Sequence, residues 1–96
     1  MGQPNGEPGS RLKRRIPTLK RLIDDCDRLA VDLDREVRNE EDRVKIYDAA
    51  HSAYSIYARA TTLRRDNLRR SADELRTHLA KSQKALSELG DATLDA

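Results

Sequence analysis

The chain is predicted to be an all-α, antiparallel two-helix coiled-coil hairpin, and three features of its 96 residues carry that prediction. Glycine and proline sit only towards the ends of the chain. Apolar residues between them recur every 3.5 residues. Acidic and basic side chains are divided between the two halves in a way that favours folding back.

Gly2, Pro4, Gly6, Pro8 and Gly9 crowd the first ten residues, Pro17 follows, and Gly90 stands near the C-terminus. Neither residue type occurs between Pro17 and Gly90, an interval dominated by helix formers such as Ala, Leu, Arg, Glu and Lys. Residues 1–15 therefore read as a disordered basic tail ending in Arg11, Lys13, Arg14 and Arg15. Proline suits the first turn of a helix and not its interior, so the first arm is expected to start at about Pro17. The helical hairpin should occupy 16–90, with arm one over 17–46, a turn over 47–53, arm two over 54–89 and a frayed C-terminus over 91–96.

With Ile16 as heptad position a, the a positions are Ile16, Ile23, Ala30, Val37, Val44, His51, Ala58, Arg65, Ala72, Leu79 and Leu86. The d positions are Leu19, Cys26, Leu33, Glu40, Tyr47, Tyr54, Thr61, Leu68, Leu75, Ser82 and Leu89. The period never slips. Its apolar quality is high over 16–37 and 68–89 and poor at Glu40, His51, Thr61 and Arg65, so a weak middle separates two good arms.

Charge decides between one long helix and a folded one. Ten acids face five bases between Ile23 and Asp48, whereas Arg59 to Arg70 holds five arginines and the single acid Asp66. Folding near residue 49 sets the Arg-rich stretch beside residues 28–39, and it pairs a with d along the seam, as in Leu19 with Leu79, Cys26 with Ala72 and Val37 with Thr61. Glu40 with Ala58 and Leu33 with Arg65 are the poor pairs. A parallel dimer would instead stack Arg65 on Arg65 and Glu40 on Glu40. Two turn sites compete, 38–42 and 46–55. The second leaves arms of nearly equal length and offers Asp48, Ser52 and Ser55 as caps. Ser71-Ala72-Asp73-Glu74 fits a capping box and raises a three-helix bundle as the alternative fold.

Composition narrows the function. A core without Phe or Trp in so short a chain does not enclose the apolar pocket most small-molecule enzymes use, so no catalytic residue, small-molecule substrate or cofactor is expected. The single Cys26 allows no internal disulfide, and two separated histidines make no zinc site. No apolar run approaches the roughly 18 residues of a membrane span and no signal peptide is evident, so a cytoplasmic location is expected. A net charge of +2 and a basic arm without interleaved aromatics disfavour nucleic-acid binding. A nucleic-acid-binding or generic oligomerising coiled-coil adaptor stays open as an alternative function.

Two blocks are more specific than coiled-coil composition: Asp48-x-Ala50-His51, continuing to Tyr54-x-x-Tyr57-Ala58, and the run Arg64-Arg65-Asp66-Asn67-Leu68-Arg69-Arg70-Ser71. With the sequence from Arg28 to Val37, they resemble the alphaproteobacterial branch of the flagellar export protein FliJ family, over about residues 22–86. The resemblance implies a long antiparallel hairpin with the His/Tyr block as its interhelix loop. Relatives often carry prolines there, where this chain has residues such as Ala49 and Ser55. They also extend further at both ends, which implies a truncated or divergent copy. The implied work is mechanical, in flagellar type III protein export and hence motility: insertion into the hexameric export ATPase ring, with contacts to the export gate and to unloaded export chaperones.

The candidate partner-binding residues are Arg59, Arg64, Arg69 and Arg70, with Tyr47, Tyr54 and Tyr57 around the turn. The bland alternative for the arginines is a solvated flank paired with the acidic arm. For the tyrosines it is a cap on the end of the seam with phenol oxygens in water. A two-helix rod leaves apolar surface that self-association could cover, so a homo-oligomer is also considered.

Overall fold

The computed structural model describes residues 8–95 and the side chains of residues 9–90. Two helices pack antiparallel: α1 over Pro8–Val44 and α2 over Ile56–Asp95, joined by residues 45–55. The molecule is a rod measuring 66 × 24 × 16 Å. The 37 residues of α1 alone account for about 55 Å at 1.5 Å per residue.

The seam is the one the heptads define. Among the described residues, every buried side chain lies at an a or d position: Leu19, Ile23, Ala30, Val37, Tyr54, Ala58, Thr61, Ala72 and Ser82. Flanking contacts follow the antiparallel rule as well. Arg76 reaches Asp27, both at e, and the Tyr57 hydroxyl donates to Glu36, both at g, at 2.9 Å. A parallel pair would bring e against g instead. A chain without Phe or Trp fills its seam with small residues, Ala30, Ala58 and Ala72, and with one ring, Tyr54, set against Ala58.

α2 runs unbroken past Asp66, Asn67 and Ser71, so the three-helix alternative is excluded. At the first end the structure corrects the expected boundaries. The tail predicted over 1–15 is helical from Pro8, and Pro17 lies inside α1; residues 1–7 are outside the described residues. Proline removes one N–H donor, here the one that would reach the Lys13 carbonyl, and α1 continues on both sides. The Thr18 hydroxyl donates to the Arg14 carbonyl at 3.2 Å, and Leu12, one d position before Ile16, is half-buried, so the seam continues past the proline. At the other end α2 passes Gly90 and reaches Asp95, where fraying was expected over 91–96. Among the described residues, no helix is long and apolar enough to cross a membrane.

Candidate interaction surface at the hairpin tip

The tip is built from short polar residues that end one helix and start the next. Lys45 takes a left-handed backbone (φ 62°), and its N–H donates to the Glu41 carbonyl at 2.7 Å, the turn that stops α1. Asp48 accepts the Ala50 N–H on its carboxylate at 2.9 Å, and its carbonyl accepts the His51 N–H at 3.0 Å, a side-chain-assisted turn. His51 Nδ1 then accepts the Ala53 N–H at 2.9 Å, and its carbonyl accepts the Tyr54 N–H at 3.1 Å. Ser55 caps α2 by accepting the Ala58 N–H at 3.1 Å, the third-residue donor an N-cap serves. Of the three caps the sequence offered, Ser55 caps α2, Asp48 instead closes the turn, and the competing turn at 38–42 is inside α1.

Three carboxylates, Glu40, Glu41 and Asp42, crowd the end of α1, where the helix dipole is negative and acids are unfavourable. Donors from the turn offset this. Tyr54 donates its hydroxyl to Glu41 at 2.8 Å, Tyr47 to Asp42 at 2.9 Å and the Ser55 hydroxyl to Glu40 at 2.7 Å. Burial first, and then the hydrogen bond to Glu41, push the Tyr54 phenol above its ordinary range. The Tyr47 phenol is raised chiefly by its bond to Asp42. Glu40 is held below the usual carboxylate range by Arg43 and then by Ser55.

These contacts correct the reading of the tyrosines. Their phenol oxygens are engaged by carboxylates. Tyr54 is buried against Val37 and Ala58, with Ile46 beside them, so it serves the core and cannot be an exposed partner contact. Tyr47 and Tyr57 remain more than half exposed.

The two poor heptad pairs resolve in the same manner. Glu40 turns to Ser55 and Arg43. Arg65 avoids Leu33 by donating to Asp34 at 2.6 Å and to Asp66 at 3.0 Å, its side chain about one-fifth exposed. The Arg65 bond holds the Asp34 carboxyl below its ordinary range.

The remaining arginines divide unevenly. Arg69 lies 4.0 Å from Asp66 on its own helix, and Arg70 donates to the Asn67 side chain at 3.3 Å. Arg59 donates to the Ala49 carbonyl at 3.0 Å, with its guanidinium 5.4 Å from the centre of the Tyr54 ring. Among the described residues, no carboxylate pairs with Arg59, Arg64 or Arg70. Among the described residues, the hydrogen-bonded pairing of the arginine stretch with the acidic arm is made by Arg65, and Arg69 adds a longer-range attraction to the same Asp34. Ala49, Tyr54, Arg59, Thr62 and Leu63 line an open groove of about 310 Å³ beside the turn.

Ile56 and Leu63 were not among the candidate residues. They are 85% and 62% exposed, one heptad apart on the outer face of α2. Their apolar character at an outward f position was a signal available in the sequence. Cys26 is half-buried at its d position, and among the described residues no group of three or more His, Cys, Asp or Glu side chains is placed to hold a metal ion. No family model, curated protein or solved structure matches this chain.

Proposed function

We propose that the chain is a non-enzymatic coiled-coil component of the flagellar type III export apparatus, coupling the export ATPase ring to the export gate and export chaperones in the cytoplasm. The observation that carries this reading is the shape, a single hairpin 66 Å long and at most 24 Å across. A two-helix rod of that calibre is thin enough to enter a protein ring, and its length lets one end work inside while the other reaches a second partner. The two sequence blocks that resemble the FliJ family support it: residues 48–58 build the tip, and residues 64–71 lie on α2 next to it.

Exposed ion pairs contribute only about 0 to 1 kcal/mol each, so a charged rod exchanges partners readily. Bonds such as Tyr54 to Glu41 and Ser55 to Glu40 meanwhile keep the tip rigid. Mixed with the purified export ATPase of its host, the full chain is expected to co-elute with the hexamer. A clean deletion of its gene is expected to abolish flagellar assembly, and normal motility in that strain would overturn the assignment.

A further inference from the structure

The outer face of α2 near the tip combines two features that a solvated helix surface has no need of. Ile56, Ala60 and Leu63 follow one another at helical spacing, all exposed, on the side away from the seam. Arg59 and Arg64 flank this strip and Arg70 ends it, and among the described residues none of the three has a carboxylate partner. Arg59 is also pre-positioned, because the Ala49 carbonyl and the Tyr54 ring hold its guanidinium in one place. A fixed arginine loses less side-chain freedom when it meets a carboxylate.

We infer that this face is a docking surface for an acidic amphipathic helix of a partner protein, which would lie along α2 as a third strand. Ile56 and Leu63, seven residues apart, fit a partner seam of the same heptad period. Charge complementarity selects the occupant: glutamates or aspartates flanking that seam would reach Arg59 on one side and Arg64 on the other, with Arg70 at the strip's far end, whereas a basic helix would be repelled. This inference deepens the adaptor reading by naming the surface and the chemistry of its partner.

The test uses the full chain, ¹⁵N-labelled, titrated with a synthetic 21-residue helical peptide carrying leucine at a and d and glutamate at e and g, alongside a copy with lysine in place of glutamate. The glutamate peptide is expected to shift amide signals across residues 56–70 and to bind more weakly as salt rises; the lysine peptide is expected not to bind. Leu63→Ser and the double variant Arg59→Glu/Arg64→Glu should each weaken binding at least tenfold. All three side chains are exposed, so circular dichroism should show unchanged helix content, and Thr77→Ser, a distant exposed control, should bind normally. Absence of binding, equal binding of the lysine peptide, or shifts confined to α1 would overturn the inference, as would a demonstration that a second copy of this chain already covers the face. The titration contains no export component, so its failure leaves the export assignment standing, and a motile deletion strain would leave this surface untouched.

Discussion

The tip half and the distal half of the rod hold together by different means, and heptad quality ranks them in the wrong order. Distally, Leu19, Ile23, Ala30, Ala72 and Ser82 are buried and the helices are linked across the seam by Arg76 and Asp27. Near the tip the sequence places Glu40, Thr61 and Arg65 in the seam, yet this half carries the directed contacts: Tyr54 to Glu41, Ser55 to Glu40, Tyr57 to Glu36 and Arg65 to Asp34. Apolar heptads supply burial that tolerates a shift by one whole repeat. Polar seam residues tolerate none, because a shifted donor loses its acceptor. Register is therefore specified where the seam looks poorest.

Several changes would break or sharpen this contrast. The largest effect is expected from Ala58→Glu. Ala58 has no exposed surface and packs with Val37 and Tyr54, so a carboxylate there should cost about 3 kcal/mol or more and unfold the tip, read as loss of helical signal in thermal melts. The equivalent size increase at exposed Ala80 should be nearly silent.

Tyr54→Phe keeps the ring and removes the donor to Glu41, for an expected loss of about 1.5 kcal/mol in urea titrations. The same bond makes stability pH-dependent. The folded phenol is raised, so its contribution is complete below the ordinary tyrosine value of about 10 and is lost as pH climbs through the raised value. The melting temperature should fall above about pH 10, less steeply in Tyr54→Phe. At the acid end, Asp34 and Glu40 are lowered, by Arg65 and by Arg43 respectively, so their contributions are complete above about pH 4.5 and are lost below it. Arg65→Leu should reduce the part of that acid sensitivity due to Asp34, which keeps Arg38 beside it at 3.1 Å.

Smaller effects are expected from the turn. Lys45 holds a left-handed backbone that glycine adopts without strain, so Lys45→Gly should stabilise the hairpin by about 0.5 to 1 kcal/mol, a rise of a few degrees in Tm. Arg65→Leu should change stability least, because a leucine restores the heptad while the partly exposed Asp34 keeps Arg38 as a partner at 3.1 Å. Its consequence should be looser register.

Much of the fold was legible in the chain because burial in a two-helix rod follows a single period, and the a and d positions contain every buried residue among those described. The start of α1 was not legible, since the rule against interior proline ignores the half-buried Leu12 that continues the seam beyond Pro17. The tip was half legible. Its position and the cap of α2 follow from the 46–55 turn and Ser55, whereas the ties from Tyr47, Tyr54 and Tyr57 to α1 depend on where the turn brings each phenol, which no spacing rule gives. The arginines misled in the other direction: opposite charge between the arms suggested general pairing, but among the described residues Arg59, Arg64 and Arg70 have no carboxylate partner.

The central claim, that polar contacts near the tip set the register, is tested most directly by the distance between spin labels on cysteines introduced at exposed Arg28 and Asp73, with Cys26→Ala as background. The unaltered seam should give one narrow distance. Combining Tyr54→Phe, Tyr57→Phe and Arg65→Leu should preserve helix content yet broaden or split that distribution as shifted pairings become populated. A single narrow distance, identical in both proteins, would contradict the account and assign register to the leucines of the distal seam.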